Sequence, residues 1–134
     1  MKKLLVIPFL LAYYMGVGQG LDSASIIGKP IIIGKLMVAQ NDFPYRMNWD
    51  NAKTACASLG KDWRLPNRNE LNTLFNNRDK IGGFENRSNN NNNFYWSSTE
   101  DQDWVLTYYM DFLTGNEGKT GKNFFYSVRA IQAL

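Results

Sequence analysis

Asp62-Trp63-Arg64-Leu65-Pro66-Asn67-Arg68-Asn69-Glu70-Leu71 joins an aromatic side chain suited to burial to the start of a helix, and the rest of the chain is arranged around that junction. Trp63 and Leu65 alternate with Asp62 and Arg64, the pattern of a short half-buried strand or extended turn. Pro66 keeps Leu65 out of the helical region, Asn67 can cap the next helix, and Glu70 is spaced to reach back to the cap as in a capping box. The spacing predicts a helix from about Arg68 to Asn77, with Leu71, Leu74 and Phe75 as its apolar face, ending before Gly82-Gly83.

Upstream, Asn48 is placed to cap a helix over Trp49 to Leu59, with Asp50 in its first turn and Gly60 as terminator. Trp49, Ala52, Cys56 and Leu59 recur at spacings of three and four, so Cys56 faces the core. Before this helix, Ile26 to Ile33 is rich in β-branched residues, and Gly34-Lys35 is a two-residue turn into Leu36 to Ala39; a β-hairpin is expected. Pro30 lacks an N–H and belongs at a strand start or edge. Leu21 to Ser25 reads as a tether.

Downstream, the Asn89 to Asn93 run marks a loop, because asparagine tolerates left-handed backbone and competes for backbone hydrogen bonds. Asn86-Arg87-Ser88 fits a glycosylation sequon, to which we attach no role. Phe94 to Thr99 is strand-like, and Glu100 to Asp103 is an acidic loop. Trp104, Leu106, Tyr108, Met110 and Phe112 alternate as one face of what should be the longest strand. Turns at Thr114 to Asn116 and Gly118 to Lys122 surround a short hairpin, and Phe124 to Leu134 closes the chain. There is no internal repeat, and 134 residues with 44% hydrophobic and 14% aromatic side chains suit one domain with a real core.

Residues 1–18 read as a secretory leader: basic Lys2 and Lys3, an apolar run from Leu4 to Tyr14, and the small-residue stretch Gly16 to Gly18, with cleavage expected before Gln19. The run is shorter than the roughly 20 apolar residues a membrane span requires. The expected organisation is therefore leader 1–18, tether 19–25 and one domain over 26–134, and the expected location is secreted, periplasmic or at a bacterial cell surface. The leader takes two of the 15 basic residues and none of the 12 acids, leaving 13 against 12. Such scattered charge argues against nucleic acid as a partner.

Composition excludes much chemistry. Without histidine and with one cysteine, the chain has no nucleophile–histidine dyad, no His/Cys metal site and no intrachain disulfide. Glu100, Asp101, Asp103 and Asp111 are close enough in sequence for a carboxylate pair, and Glu100, Asp101 and Asp103 for a calcium site, but Glu100 to Asp103 reads more simply as a solvated loop, since nothing nearby promises the desolvation that tunes a catalytic acid. No enzyme activity, cofactor or metal is expected. Trp63, Trp96 and Trp104 are assigned to the core or its rim, and Tyr95, Tyr109 and Tyr126 to the surface.

Four short motifs then fall in order: Ile32 to Asn41, Trp63-Arg64-Leu65-Pro66 with Glu70-Leu71, Tyr95-Trp96-Ser97-Ser98-Thr99, and Val128-Arg129-Ala130-Ile131. In these the chain resembles the bacterial Lcl C-terminal domain family and its relative FISUMP over about residues 26–134. The resemblance implies an α+β, C-type-lectin-like fold: two helices packed on a small twisted antiparallel sheet, with N- and C-terminal strands adjacent. Relatives occur in secreted and surface proteins, some of them adhesins. The calcium-binding triplets of lectins with this fold are absent here. Arg129, among apolar neighbours, should make a structural ion pair or carbonyl contacts. The expected function is a non-catalytic module recognising a glycan or a surface protein through loops of its second half, with Asn92, Tyr95, Asp101, Asp103, Tyr109 and Asn116 as contacts; a small accessory subunit of a surface assembly is the alternative, and a degenerate enzyme relative is a third.

Overall fold

The computed structural model describes residues 22–86 and 93–134. Among these, the elements are α1 (Ser23–Ile27), β1 (Ile31–Ile33), β2 (Leu36–Val38), α2 (Trp49–Ser58), α3 (Arg68–Asn76), α4 (Arg78–Ile81), β3 (Phe94–Glu100), β4 (Thr107–Asp111), β5 (Glu117–Thr120) and β6 (Ile131–Ala133). The leader, the first residues of the tether and Asn89 to Asn92 lie outside the described residues.

The strands form two antiparallel three-stranded sheets, ordered β1-β2-β6 and β3-β4-β5. Val38 pairs with Ile31 on one side and Ile131 on the other, so the two ends of the domain share one sheet. The segment before β6 joins the sheets: Trp96 N–H donates to the Ser127 carbonyl at 3.1 Å, and Ser127 N–H to the Phe94 carbonyl at 2.8 Å. The Trp63 junction is stitched to the chain end by reciprocal backbone bonds between Arg64 and Ile131, both 2.9 Å.

Strand β3 separates two apolar cores. Phe94 and Trp96 face one, with Ala39, Trp49, Ala52, Cys56, Trp63 and Leu65; Tyr95 faces the other, with Val38, Leu71, Leu74, Met110, Phe112 and Ile131. Each long helix thus covers one core, α2 the first and α3 the second. The indole N–H groups find partners across the first core: Trp49 donates to the Ser97 carbonyl at 2.8 Å and Trp96 to the Met47 carbonyl at 2.7 Å. Burial pushes the Cys56 thiol up to about 12, in keeping with an inert core cysteine.

The junction between Trp63 and α3 is built as its spacing predicts. Asn67 Oδ1 accepts from Glu70 N–H and Glu70 Oε1 from Asn67 N–H, both at 2.8 Å. Arg64 grips the same carboxylate through two nitrogens at 2.7 and 2.9 Å, so Glu70 joins the helix start to the preceding extended segment.

The structure departs from the sequence expectations in three places. Ser23–Ile27 is a helical turn capped by Asp22, so Ile26 enters the first core from a helix and the first strand begins only at Ile31. The expected strand from Trp104 is shortened to Thr107–Asp111, because Asp101 folds the preceding residues into a turn; β3, seven residues long, is the longest strand. Tyr95 is fully buried and Tyr126 nearly so, whereas Trp104 is 72% exposed. A strand buried on both faces carries no polar alternation from which facing could be read.

Arg129 holds four separate segments together. Its fully buried guanidinium donates to Asp42 Oδ1 at 2.7 Å and to the Ala39 and Gly82 carbonyls at 3.2 Å, and lies 4.1 Å from the centre of the Phe84 ring. Tyr95 O–H donates to the other Asp42 oxygen at 2.5 Å and accepts from Glu85 N–H at 2.7 Å. Gly83, at φ +76°, lets the chain pass where a Cβ would stand 3.2 Å from Arg129 Nη2. Burial pushes the Asp42 carboxyl above its ordinary value by more than the Arg129 charge and the Tyr95 and Arg129 hydrogen bonds draw it back.

Stability should respond to these contacts in two ways. Asp42→Ala leaves the Arg129 charge buried without its carboxylate and should cost about 3–5 kcal/mol in urea unfolding. The hydrogen bonds from Arg64 hold the Glu70 carboxyl below its ordinary value, so its contribution is complete above the unfolded value of about 4.3 and is lost as pH falls through the folded one. Thermal unfolding from pH 7 to pH 3 should show a decline in this window that is shallower in Glu70→Gln.

Candidate functional site

The loop joining β3 to β4 is built on Asp101. Its N–H donates to the Leu106 carbonyl at 2.8 Å, its carbonyl accepts from Trp104 N–H at 3.0 Å, and its Oδ1 accepts from the N–H groups of Val105 and Leu106, both at 3.1 Å. An aspartate that closes a turn on its own downstream backbone is a local feature of sequence, and here it ends the pleat that would otherwise continue to Trp104. Within the turn Trp104 is held at φ +62°, a conformation costing a bulky L-residue on the order of 1 kcal/mol. Lys122 holds the other side, its Nζ 2.5 Å from Glu100 Oε2 and 3.1 Å from the Trp104 carbonyl.

This scaffold faces apolar side chains outward. Val105 is 64% exposed beside Trp104, and Phe124 and Phe125, just after Lys122, are each more than half exposed. Lys122 also lies over the Trp49 ring, 4.6 Å from its centre, so the segment is anchored to the first core while its phenylalanines meet solvent. Large exposed apolar side chains on two loops joined by Lys122 are of the kind that protein-recognition surfaces present.

The residues named from sequence scatter around this geometry. Asn92 lies outside the described residues. Tyr95 is in the second core, bonded to Asp42, and is no surface contact. Asp101 shapes the turn, and Asp103 is exposed within it. Tyr109 is half-buried, its ring 4.5 Å from Phe94 and 5.1 Å from Tyr126. Asn116 is exposed in the β4–β5 turn. Because Phe94 pairs with Asp111 and Glu100 with Thr107, the Asp101 loop and the Asn116 turn lie at opposite ends of β4, about 13 Å apart at roughly 3.3 Å per residue. The contacts expected to share one face are therefore divided, with Asp101 and Asp103 at one end of the sheet and Asn116 at the other. The exposure of Trp104, Val105, Phe124 and Phe125 was not foreseen from sequence; the aspartate three residues before Trp104 is the signal that could have found the turn.

Among the described residues, no cluster of three His, Cys, Asp or Glu side chains could hold a metal ion, and no helix is long and apolar enough to cross a membrane.

The family model for the Lcl C-terminal domain matches residues 34–132. The chain belongs to that family. The matched span runs from the β1–β2 turn to β6 and includes both long helices, most of both cores and the Arg129 cluster. No curated protein sequence matches the chain. Among solved structures, botrocetin is similar with a TM-score of 0.55 at 9% identity, over 80% of this chain and 98% of that one. Botrocetin in complex with a mutant von Willebrand factor A1 domain is similar with a TM-score of 0.55 at 10% identity and the same coverage. EMS16, an antagonist of the collagen receptor integrin α2β1, gives 0.53 at 13% identity, over 78% of this chain and 97% of that one. At these identities the likeness establishes the fold: the Lcl C-terminal domain of this chain is an α+β, C-type-lectin-like domain.

Asp101→Ala should free the turn without touching either core. Amide hydrogen exchange is expected to quicken at Val105 and Leu106 by about fivefold, the loss of one hydrogen bond of about 1 kcal/mol, with core amides unchanged.

Proposed function

We propose that the chain is a secreted or surface-exposed, non-catalytic binding module that docks a protein partner through Trp104, Val105, Phe124 and Phe125. The observation that carries this reading is Trp104: a bulky aromatic side chain, 72% exposed, held in left-handed backbone by a dedicated turn and by Lys122. Exposing an indole costs solubility and the left-handed backbone costs conformational energy, and a rigid exposed tryptophan is the residue type that most often dominates a binding interface. Support for a protein partner comes from similarly folded proteins described as a complex with the von Willebrand factor A1 domain and as an integrin antagonist. The non-catalytic reading rests on a chain without histidine, with its cysteine buried and Glu100 committed to Lys122.

The test compares wild type with Trp104→Ala and Phe125→Ala, for binding to separated surface proteins and, in parallel, to a glycan array with calcium and with chelator. A protein partner bound by wild type and weakened at least about 30-fold by Trp104→Ala, an interface hot-spot loss of about 2 kcal/mol, is the expected result. Binding to a partner that is indifferent to both substitutions would overturn the assignment of this face. Array binding that survives chelator and is lost with Trp104→Ala would replace the protein partner with a saccharide stacked on the indole.

A further inference from the structure

We infer that the outer edge of β5 is a self-association site, where a second copy of the chain adds its own β5 antiparallel and joins two three-stranded sheets into one of six strands. The edge belongs to Glu117–Thr120, which pairs with β4 on one side and with no strand on the other among the described residues. It shares no residue with the Trp104 face, so neither site depends on the other.

Backbone alternation fixes which groups are open. Asp111 N–H donates to the Asn116 carbonyl at 2.8 Å, and the same register runs on through Tyr109 with Gly118 and Thr107 with Thr120. In an antiparallel ladder every second pair is hydrogen-bonded, so Gly118 and Thr120 give their N–H and C=O groups to β4, while those of Glu117 and Lys119 point away from it. These outward groups meet no partner among the described residues. Such an edge is a template for another strand, and proteins guard it with short strands and with charged side chains, lysine above all. Both guards are present here, but the two charges are of opposite sign.

That difference makes the edge complementary to itself. About a twofold axis through Gly118, Glu117 lies opposite Lys119 of the second copy and Lys119 opposite its Glu117, so open backbone groups meet open backbone groups and each acid meets a base. The neighbouring registers that keep the backbone in phase set Glu117 against Glu117 or Lys119 against Lys119, and like charge disfavours them. Both side chains stand on the α3 side of the sheet: Arg68 donates to the two Glu117 oxygens, each at 2.9 Å, and lies 4.0 Å from the centre of the Tyr108 ring, over which Lys119 also lies at 5.7 Å. The Glu117 carboxylate stays on Arg68 and the incoming lysine is a second cation beside it, so the charges select the register while backbone bonds carry the pairing. On the opposite face Gly118 presents no side chain, and a Cβ there would collide with the Tyr109 ring and hydroxyl. The bare position lets two copies of Gly118 approach at the axis to the roughly 4.5 Å of a non-hydrogen-bonded pair. Helix α3 packs over β3 and β4 rather than β5. With strands about 4.8 Å apart, the two α3 axes would lie roughly 19 Å from each other, clear for helices about 10–12 Å across.

The experiment measures the mass of the purified chain by sedimentation equilibrium from about 10 μM to about 1 mM, the range suited to a short, reversible interface. A dimer should form within it, with amide exchange at Glu117 and Lys119 slowing as its fraction rises, while Gly118 and Thr120, already bonded to β4, change little. Lys119→Pro removes an N–H that β4 does not use, so the domain should melt as wild type does. Its dimerisation should weaken about 30-fold, the loss of two hydrogen bonds of about 1 kcal/mol each by symmetry. Glu117→Lys should weaken it about tenfold by setting lysine against lysine, and Glu117→Lys combined with Lys119→Glu should restore it. These charge reversals leave the backbone intact and decide the question alone if Lys119→Pro unfolds. A chain that stays monomeric up to about 1 mM, a dimer indifferent to a folded Lys119→Pro, or a charge reversal that the double variant does not rescue would each overturn the site. Slow exchange at Glu117 and Lys119 in a monomer would also overturn it, and assign the edge to another segment of the same chain.

Discussion

The fold depends on one buried charge. Arg129 comes from the last segment of the chain, and its guanidinium joins the end of β2, the loop after α4 and, through Asp42, the hydroxyl of Tyr95 on β3. These segments are far apart in sequence, and no other single side chain among the described residues bonds to so many of them. A guanidinium out of water is tolerated only when its donors are matched by fixed acceptors, so its burial imposes positions on Asp42, Ala39 and Gly82 at once. A hydrophobic residue there could fill the space but would specify none of those positions.

That constraint also explains why one small domain has two cores. The strands β2, β3 and β6 run between α2 and α3, and each sends successive side chains to opposite sides, as Tyr95 and Trp96 do. The polar cluster of Asp42, Tyr95 and Arg129 sits beside these strands, completed by the Ala39 and Gly82 carbonyls and the Glu85 N–H, and the capping box at Glu70 closes the α3 side through Arg64. Short strands of three residues persist here because both helices and the cluster fix their neighbours, where an isolated hairpin of that length would not.

The exposed face arises from the shortness of the strands. With β4 only five residues long, the turn built by Asp101 starts early and lifts Trp104 out of the sheet. Lys122 then ties this turn to Glu100, bringing Phe124 and Phe125 into the same region. The exposed aromatic surface is thus a product of where the pleat stops. The amide-rich end of the sheet, with Asn116, is held away from it by the length of β4.

What the sequence alone determined was local: caps at Asn48 and Asn67, the Glu70 capping box, the core face of α2 with Cys56, the hairpin turn at Gly34-Lys35, and the family through four ordered motifs. Each local feature depends on residues within one or two turns of each other, where steric limits and hydrogen-bond reach are fixed by the chain itself. Arg129 was legible as an ion pair because a charge among apolar neighbours needs partners, but Asp42 and the carbonyls were not, since they lie up to 90 residues away. The tertiary structure decided that Tyr95 is inside and Trp104 outside. Phe94, Tyr95 and Trp96 are three aromatics in a row on a strand packed on both faces, so facing there is set by which helix covers which side, and the exposure of Trp104 by where a single aspartate ends the strand.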